Sequence, residues 1–204
     1  MAVDVPVKCT CGSVTGVAHN LSASTTNHVV CSCKGCQSYA HFLGRTDDML
    51  DAEGGSNIFQ LDPKNFEIIS GMEHVACMRV TKEGPVRWYA DCCKTPLGNG
   101  FPKGGIPFLG VLPICIGHKG TSGEVVKLVG PVRGHINQQK PIGVGEKLRN
   151  AGMLVRFACQ LLGWRIRGGK SWKPFFDQKT LRPIRKPLII TDEERAALEA
   201  KAGF

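Results

Sequence analysis

The chain has 204 residues, 42% hydrophobic and 21% charged, the balance of a soluble globular protein with one well-cored domain and an appendage, or two small domains. No signal-peptide pattern opens it, and its longest apolar window, 151–164, is too short for a bilayer and broken by Arg156, so a soluble, cytoplasmic protein without a transmembrane segment is expected. The net charge of +9 is uneven: residues 1–130 hold 11 Lys/Arg and 11 Asp/Glu, whereas 131–204 hold 15 and 6.

In chain order, short Val- and Thr-rich runs separated by Gly, Ser and Asn predict strands at 5–9, 13–19 and 28–33. Residues 34–44 suit a short helix or turn. Further strands are predicted at 57–61, 66–70, 74–80 and 86–90, each bounded by Gly, Pro or Asp. The apolar stretch 106–116 carries Pro and Gly, which argue against one clean central strand. The pattern predicts a mainly β fold of short antiparallel strands over residues 1–130.

Residues 131–204 read differently, as a basic C-terminal helical extension. Leu148, Ala151, Val155, Ala158 and Leu162 recur at spacings of three and four, which predicts a helix over about 146–163 with Arg149, Arg156, Gln160 and Arg167 on its polar side. A terminal helix is predicted at about 191–201, where Thr191 and Glu194 form a capping box. Between 131 and 187 there are 13 Lys/Arg and two acids, with Trp164, Trp172, Phe175 and Phe176 interleaved. Such a segment suits nucleic acid or an anionic membrane surface. The preferred expectation is a helix packed on the β-domain, basic side in water, with the aromatics as anchors. "GVGEK" (143–147) follows no clear strand and is no phosphate loop.

Ten cysteines in a reducing compartment point to metal or catalysis rather than disulfides. Seven are clustered: Cys9 and Cys11; Cys31, Cys33 and Cys36; Cys92 and Cys93. Cys77, Cys115 and Cys159 lie in apolar surroundings and read as small buried hydrophobes. Thiolates are soft charged donors, and four complete a zinc tetrahedron, so one or two zinc ions per chain are expected. "CKGC" does not open a long helix after a strand, which argues against a thioredoxin-like motif.

The segments "CTCGSVTG" (9–16), "CSCKGCQ" (31–37) and "RWYADCCKTPLGN" (87–99) resemble those of the glutathione-dependent formaldehyde-activating enzymes and their centromere-protein-V relatives. That resemblance covers about residues 7–100 and implies a zinc-bearing β-tent. It also implies a structural zinc on Cys9, Cys11 and Cys93. The family's fourth thiol would fall at Ala90, and Cys92 is an extra one. Three outcomes are open there: a strained four-thiolate site, which is favoured, three thiolates with water or His, or no metal. Neighbouring strand residues point oppositely, so the backbone must turn at Cys92–Cys93 for both to ligate.

The resemblance further implies a second zinc on Cys31, Cys33 and Cys36, with an exchangeable fourth position and carbon–sulfur lyase chemistry on a glutathione–formaldehyde or similar thiol adduct. The competing arrangement is a closed structural knuckle of Cys31, Cys33, Cys36 and another residue, Cys92 being one candidate. Gln37 is a candidate to bond a ligand's backbone, His41 to support a ligand, and Arg45, Arg87 and Lys94 to meet glutathione carboxylates. The alternative function is a non-catalytic zinc scaffold whose basic end binds a polyanion or protein.

Overall fold

The computed structural model describes residues 2–117, 122–138, 143–168 and 173–204. Strands β1 (Val3–Lys8), β2 (Thr15–Leu21) and β3 (Asn27–Cys31) lead into helix α1 (Lys34–Leu43) and the single turn α2 (Thr46–Met49). Then come β4 (Ser56–Leu61), β5 (Phe66–Ser70), β6 (Val75–Arg79), β7 (Val86–Ala90), β8 (Thr95–Gly100) and β9 (Leu109–Val111). The last third holds α3 (Ser122–Val129), β10 (Gly134–Ile136), α4 (Val144–Gly168), β11 (Leu188–Ile189) and α5 (Asp192–Lys201), the first of these beginning before residue 131. The chain is mainly β, with two sheets: β1-β2-β5, and an eight-stranded sheet ordered β10-β3-β4-β9-β8-β7-β6-β11.

Strand β7 shows how the sheet is used on both faces. Successive side chains alternate, so Val86, Trp88 and Ala90 enter the main core with Leu97, Val111 and Phe66. Tyr89 points the other way, into a second core with Tyr39, Ala40 and Leu43 of α1 and Met78 of β6. Arg87 shares that second face and lies 5.3 Å from the Tyr39 ring. The Tyr39 hydroxyl donates to the Trp88 carbonyl (2.9 Å), which fixes α1 over β7. Α third core joins Val29, Cys31, Cys36 and Ile58 to Met153 of α4.

The basic C-terminal third is built into this framework. Phe175 stacks on Trp88 (centroids 4.8 Å apart, planes at 12°), and Phe176 meets the same indole edge-on. β10 pairs with β3 and β11 with β6, both in parallel, so the ends of an otherwise antiparallel sheet come from this segment. Parallel pairing at the edges is a departure from the expected antiparallel pattern. It follows from long crossovers, since a parallel neighbour cannot be reached by a hairpin. α5 begins at the expected capping box: Thr191 Oγ1 accepts from Glu194 N–H (3.1 Å) and Glu194 Oε2 from Thr191 N–H (2.8 Å).

β8, sequence TPLGNG, is a strand that no expectation covered: a register shift opposite Trp88 and Tyr89 admits Pro96, and Gly98 packs beneath Leu109. The expectations for α4 and Cys159 need correction. α4 spans the expected helix, but its inner face is not the apolar stripe. Met153 and Trp164 are buried, whereas Leu148, Val155 and Leu162 are exposed. The polar side docks because Arg156 donates to the carbonyls of Ala23 and Ser24 (both 2.9 Å) and Gln160 to that of Ser24, acceptors that an aliphatic face could not satisfy. Cys159 is therefore exposed, while Cys77 and Cys115 are buried as expected. Trp164, Phe175 and Phe176 are buried anchors; Trp172 lies outside the described residues.

Removing the ring that stacks on Trp88 tests this integration. Phe175→Ala should cost about 3–5 kcal/mol of unfolding free energy, read as a lower urea midpoint. An unchanged midpoint would show that the tail is not part of the main core.

Candidate metal centres

The first cluster lies where two hairpin turns meet. Cys9 and Cys11 sit in the β1–β2 turn, held by Cys9 N–H to Val14 O (3.0 Å) and Gly12 N–H to Cys9 O (2.9 Å). Gly12 takes φ +86°, a left-handed conformation that costs glycine little. Cys92 and Cys93 lie in the β7–β8 turn, where Lys94 has φ +55°, so the backbone does turn beside the adjacent thiols. Thr10 links the turns: its N–H donates to Thr95 Oγ1 (2.9 Å), and the two hydroxyls are 2.8 Å apart. Arg45 reaches both, donating to Thr10 Oγ1 and the Cys93 carbonyl at 2.9 Å each.

The four sulfurs all lie within 4.8 Å of one another. Cys11 Sγ is 3.3 Å from Cys92 Sγ and 3.5 Å from Cys9 Sγ; Cys92 Sγ is 3.8 Å from Cys93 Sγ and 3.9 Å from Cys9 Sγ. Metal–sulfur bonds of about 2.3 Å at tetrahedral angles place sulfurs about 3.8 Å apart. The donor set therefore fits a tetrahedral, thiophilic ion with no further ligand. Such an ion would fasten the β1–β2 hairpin of the smaller sheet to the β7–β8 hairpin of the larger. Cys92 belongs here, so it does not close the second cluster.

The second cluster is Cys31, Cys33 and Cys36, whose sulfurs also lie within 4.8 Å of one another. Among the described residues no His, Asp or Glu joins them. Cys31 ends β3 and Cys33 caps α1, its Sγ accepting from Cys36 N–H (3.3 Å). A helix N-terminus favours a thiolate at this place. Gln37 Nε2 donates to the Ser32 carbonyl (3.2 Å) and so bonds the backbone between two of the cysteines.

Two donors aim at the sulfurs from elsewhere in the fold. Buried Arg87 directs Nη1 at Cys36 Sγ (3.7 Å) and at Asn99 Oδ1 (3.2 Å), and Asn137 Nδ2 lies 3.7 Å from Cys31 Sγ. Gly35 makes room, because a Cβ there would lie 2.9 Å from the guanidinium. Ile58, Met153 and Ile136 form the apolar wall.

The thiols ionise unequally. Cys33 is held far below the usual thiol range because the Cys31 and Cys36 thiols donate to it, with the Arg87 charge adding to the effect. Cys31 is pushed up by those same bonds and by burial. In the first cluster, the Ser13 hydroxyl and backbone lower Cys11 to about 6, while burial raises Cys9. Each cluster thus combines lowered thiols, Cys11 and Cys93 in the first and Cys33 in the second, with raised ones whose protons a metal must displace.

Residues 1–140 match a family model that spans both clusters. The chain belongs to DUF6151, a family of unknown function. No curated protein matches the chain. The DUF6151 match includes β10 with Asn137 but stops before α4, so Met153 walls the second cluster from outside it.

The structure brings together all seven clustered cysteines named from the sequence, in groups of four and three. Arg87 does not meet solvent as a carboxylate receptor would; it is buried beneath the thiols. Arg45 is engaged by Asp48, Thr10 and Cys93, and Lys94 pairs with Asp91. His41 lies in the last turn of α1, five residues past Cys36, and is not among the residues gathered at either cluster. Asn137 and Met153 were not anticipated; no spacing signal marks them, because strand pairing and helix docking place them.

Arg87→Met should weaken metal binding at the second cluster by about 10–100-fold and leave the first unaffected, as measured by chelator competition. Equal weakening of both would remove the special role of Arg87. Because binding must displace protons from raised thiols such as Cys9 and Cys31, apparent affinity should rise with pH and fall on acidification. Titration at several pH values, with proton release followed by a pH indicator, checks this sign.

Proposed function

We propose that the chain is a zinc protein of the formaldehyde-activating type: Cys9, Cys11, Cys92 and Cys93 hold a structural zinc, and Cys31, Cys33 and Cys36 hold a second. The observation that carries this reading is the asymmetry of the clusters, four sulfurs in one and three in the other. Four protein ligands are typical of structural zinc, and three with one open position of catalytic zinc. Bound there, zinc would stabilise a substrate thiolate at neutral pH.

The reaction class is carbon–sulfur bond formation or cleavage in a thiol adduct of a small aldehyde, glutathione with formaldehyde being the case the resemblance suggests. In the forward direction the thiol sulfur bonds to the carbonyl carbon and the thiol proton ends on the carbonyl oxygen. The reverse breaks that bond. The chain's own groups prepare the site. Arg87 offsets the charge of the gathered thiolates, Asn137 and the α1 N-terminus orient Cys31 and Cys33, and Ile58, Met153 and Ile136 exclude water from one side. A mainly β chain with cysteine clusters at strand ends also supports the β-tent that the resemblance implies.

Two measurements test this together. Elemental analysis should find two zinc ions per chain, and one in Cys33→Ser. The zinc-loaded protein should accelerate adduct formation from glutathione and formaldehyde, and Cys33→Ser should lose that acceleration. Two zinc ions with no acceleration would refute the enzymatic part alone; Cys33→Ser retaining both would refute the second zinc site.

A further inference from the structure

α4 is docked by one side and bare on the other. Its inner side is fixed by Met153 and Trp164, by Phe157 edge-on to Phe108 (5.5 Å), and by Asn150 Oδ1 accepting from His135 N–H (2.9 Å). Opposite these, Val144, Leu148, Val155, Leu162 and Ile166 are 61–75% exposed. At about 100° per residue they fall within about 40° of arc and form one stripe along a helix about 37 Å long. Ala151, Ala158 and Cys159 fill the stripe between them and are also exposed.

Charge decides what can cover this face. Lys147 and Arg165 run along one border of the stripe; Arg149 and Arg167 run along the other, while Arg156 is turned to the Ala23 and Ser24 carbonyls. The one acid of α4, Glu146, lies toward the docked side, bonded by Gln138 and Arg149. A second copy of the helix, parallel or antiparallel, would set cations against cations. A nucleic acid would meet the cations but leave the aliphatic stripe in water. An anionic bilayer satisfies both parts, taking the aliphatic side chains below its headgroups and the flanking cations among them. No helix among the described residues is long and apolar enough to cross a membrane, so this arrangement lies in the interface plane.

We infer that the outer face of α4 is a binding surface for anionic lipid membranes, holding the protein at the bilayer with α4 parallel to it. This surface is separate from both cysteine clusters and does not depend on what reaction they perform.

The test is co-sedimentation of the full chain with phosphatidylcholine vesicles, with and without phosphatidylserine. Wild-type protein should partition to the phosphatidylserine vesicles and not to pure phosphatidylcholine. Val155→Glu with Leu162→Glu should weaken partitioning on the order of tenfold or more. Arg149→Gln with Arg167→Gln should weaken it as well. All four positions are exposed, so melting temperatures should stay at the wild-type value, which separates lost binding from lost folding.

No binding by wild-type protein would overturn the inference. So would undiminished binding by the Val155→Glu/Leu162→Glu variant, since charge alone would then explain the attachment. A wild-type dimer that this variant converts to monomer, seen by light scattering, would assign the face to a second copy instead.

Discussion

Gathering three cysteine sulfurs within 4.8 Å of one another, in a site that water barely reaches, concentrates negative charge as the thiols ionise. A buried cation beside them is the direct remedy, and Arg87 supplies it. Its own burial would be costly without anionic partners. The guanidinium and the thiolates therefore stabilise one another, and much of the architecture serves to bring them together. α1 must carry Cys36 across the face of β7, Tyr39 must tie that helix to the Trp88 carbonyl, and Gly35 must leave space for the guanidinium.

β7 is the strand on which two demands meet. One of its faces sends Trp88 into the main core, where Phe175 of the C-terminal segment stacks on it. The other presents Arg87 and Tyr89 to α1. The packing of the tail and the electrostatics of the thiols are consequently coupled through a single five-residue strand. The four-sulfur cluster has a simpler mechanical task. It sits where the turns of two hairpins from different sheets touch, and the Thr10–Thr95 hydrogen bonds already hold those turns in register before any ion is considered.

The strands around the cysteines were legible because turn residues and β-branched runs act locally, and the knuckle was legible because close spacing leaves thiols little choice of neighbours. The turn at Cys92–Cys93 could be anticipated only as a requirement for ligation. Arg87 was visible as a charge, but its role comes from strand alternation combined with the position of α1, a tertiary relation that spacing does not encode. α4 was read the wrong way round for a related reason. An amphipathic pattern marks two faces without saying which is inward, and here the carbonyls of Ala23 and Ser24 selected the arginine side. β8 was hidden by Pro96 and Gly98, which a bulge accommodates.

The two parallel edge strands carry a consequence for how the molecule is made. β10 closes the sheet beside β3 and β11 closes it beside β6, each partner lying about a hundred residues earlier in the chain. Synthesis proceeds from the N-terminus, so β3 stands uncovered until residue 136 has been made and β6 until residue 189, close to the end of the chain. Phe175, which stacks on Trp88, also arrives late. Contacts of such long range make folding slow relative to a helical protein of similar stability. The nascent chain thus passes through a period with reactive thiols gathered and sheet edges unpaired, and its safe passage depends on finishing translation before either finds a foreign partner.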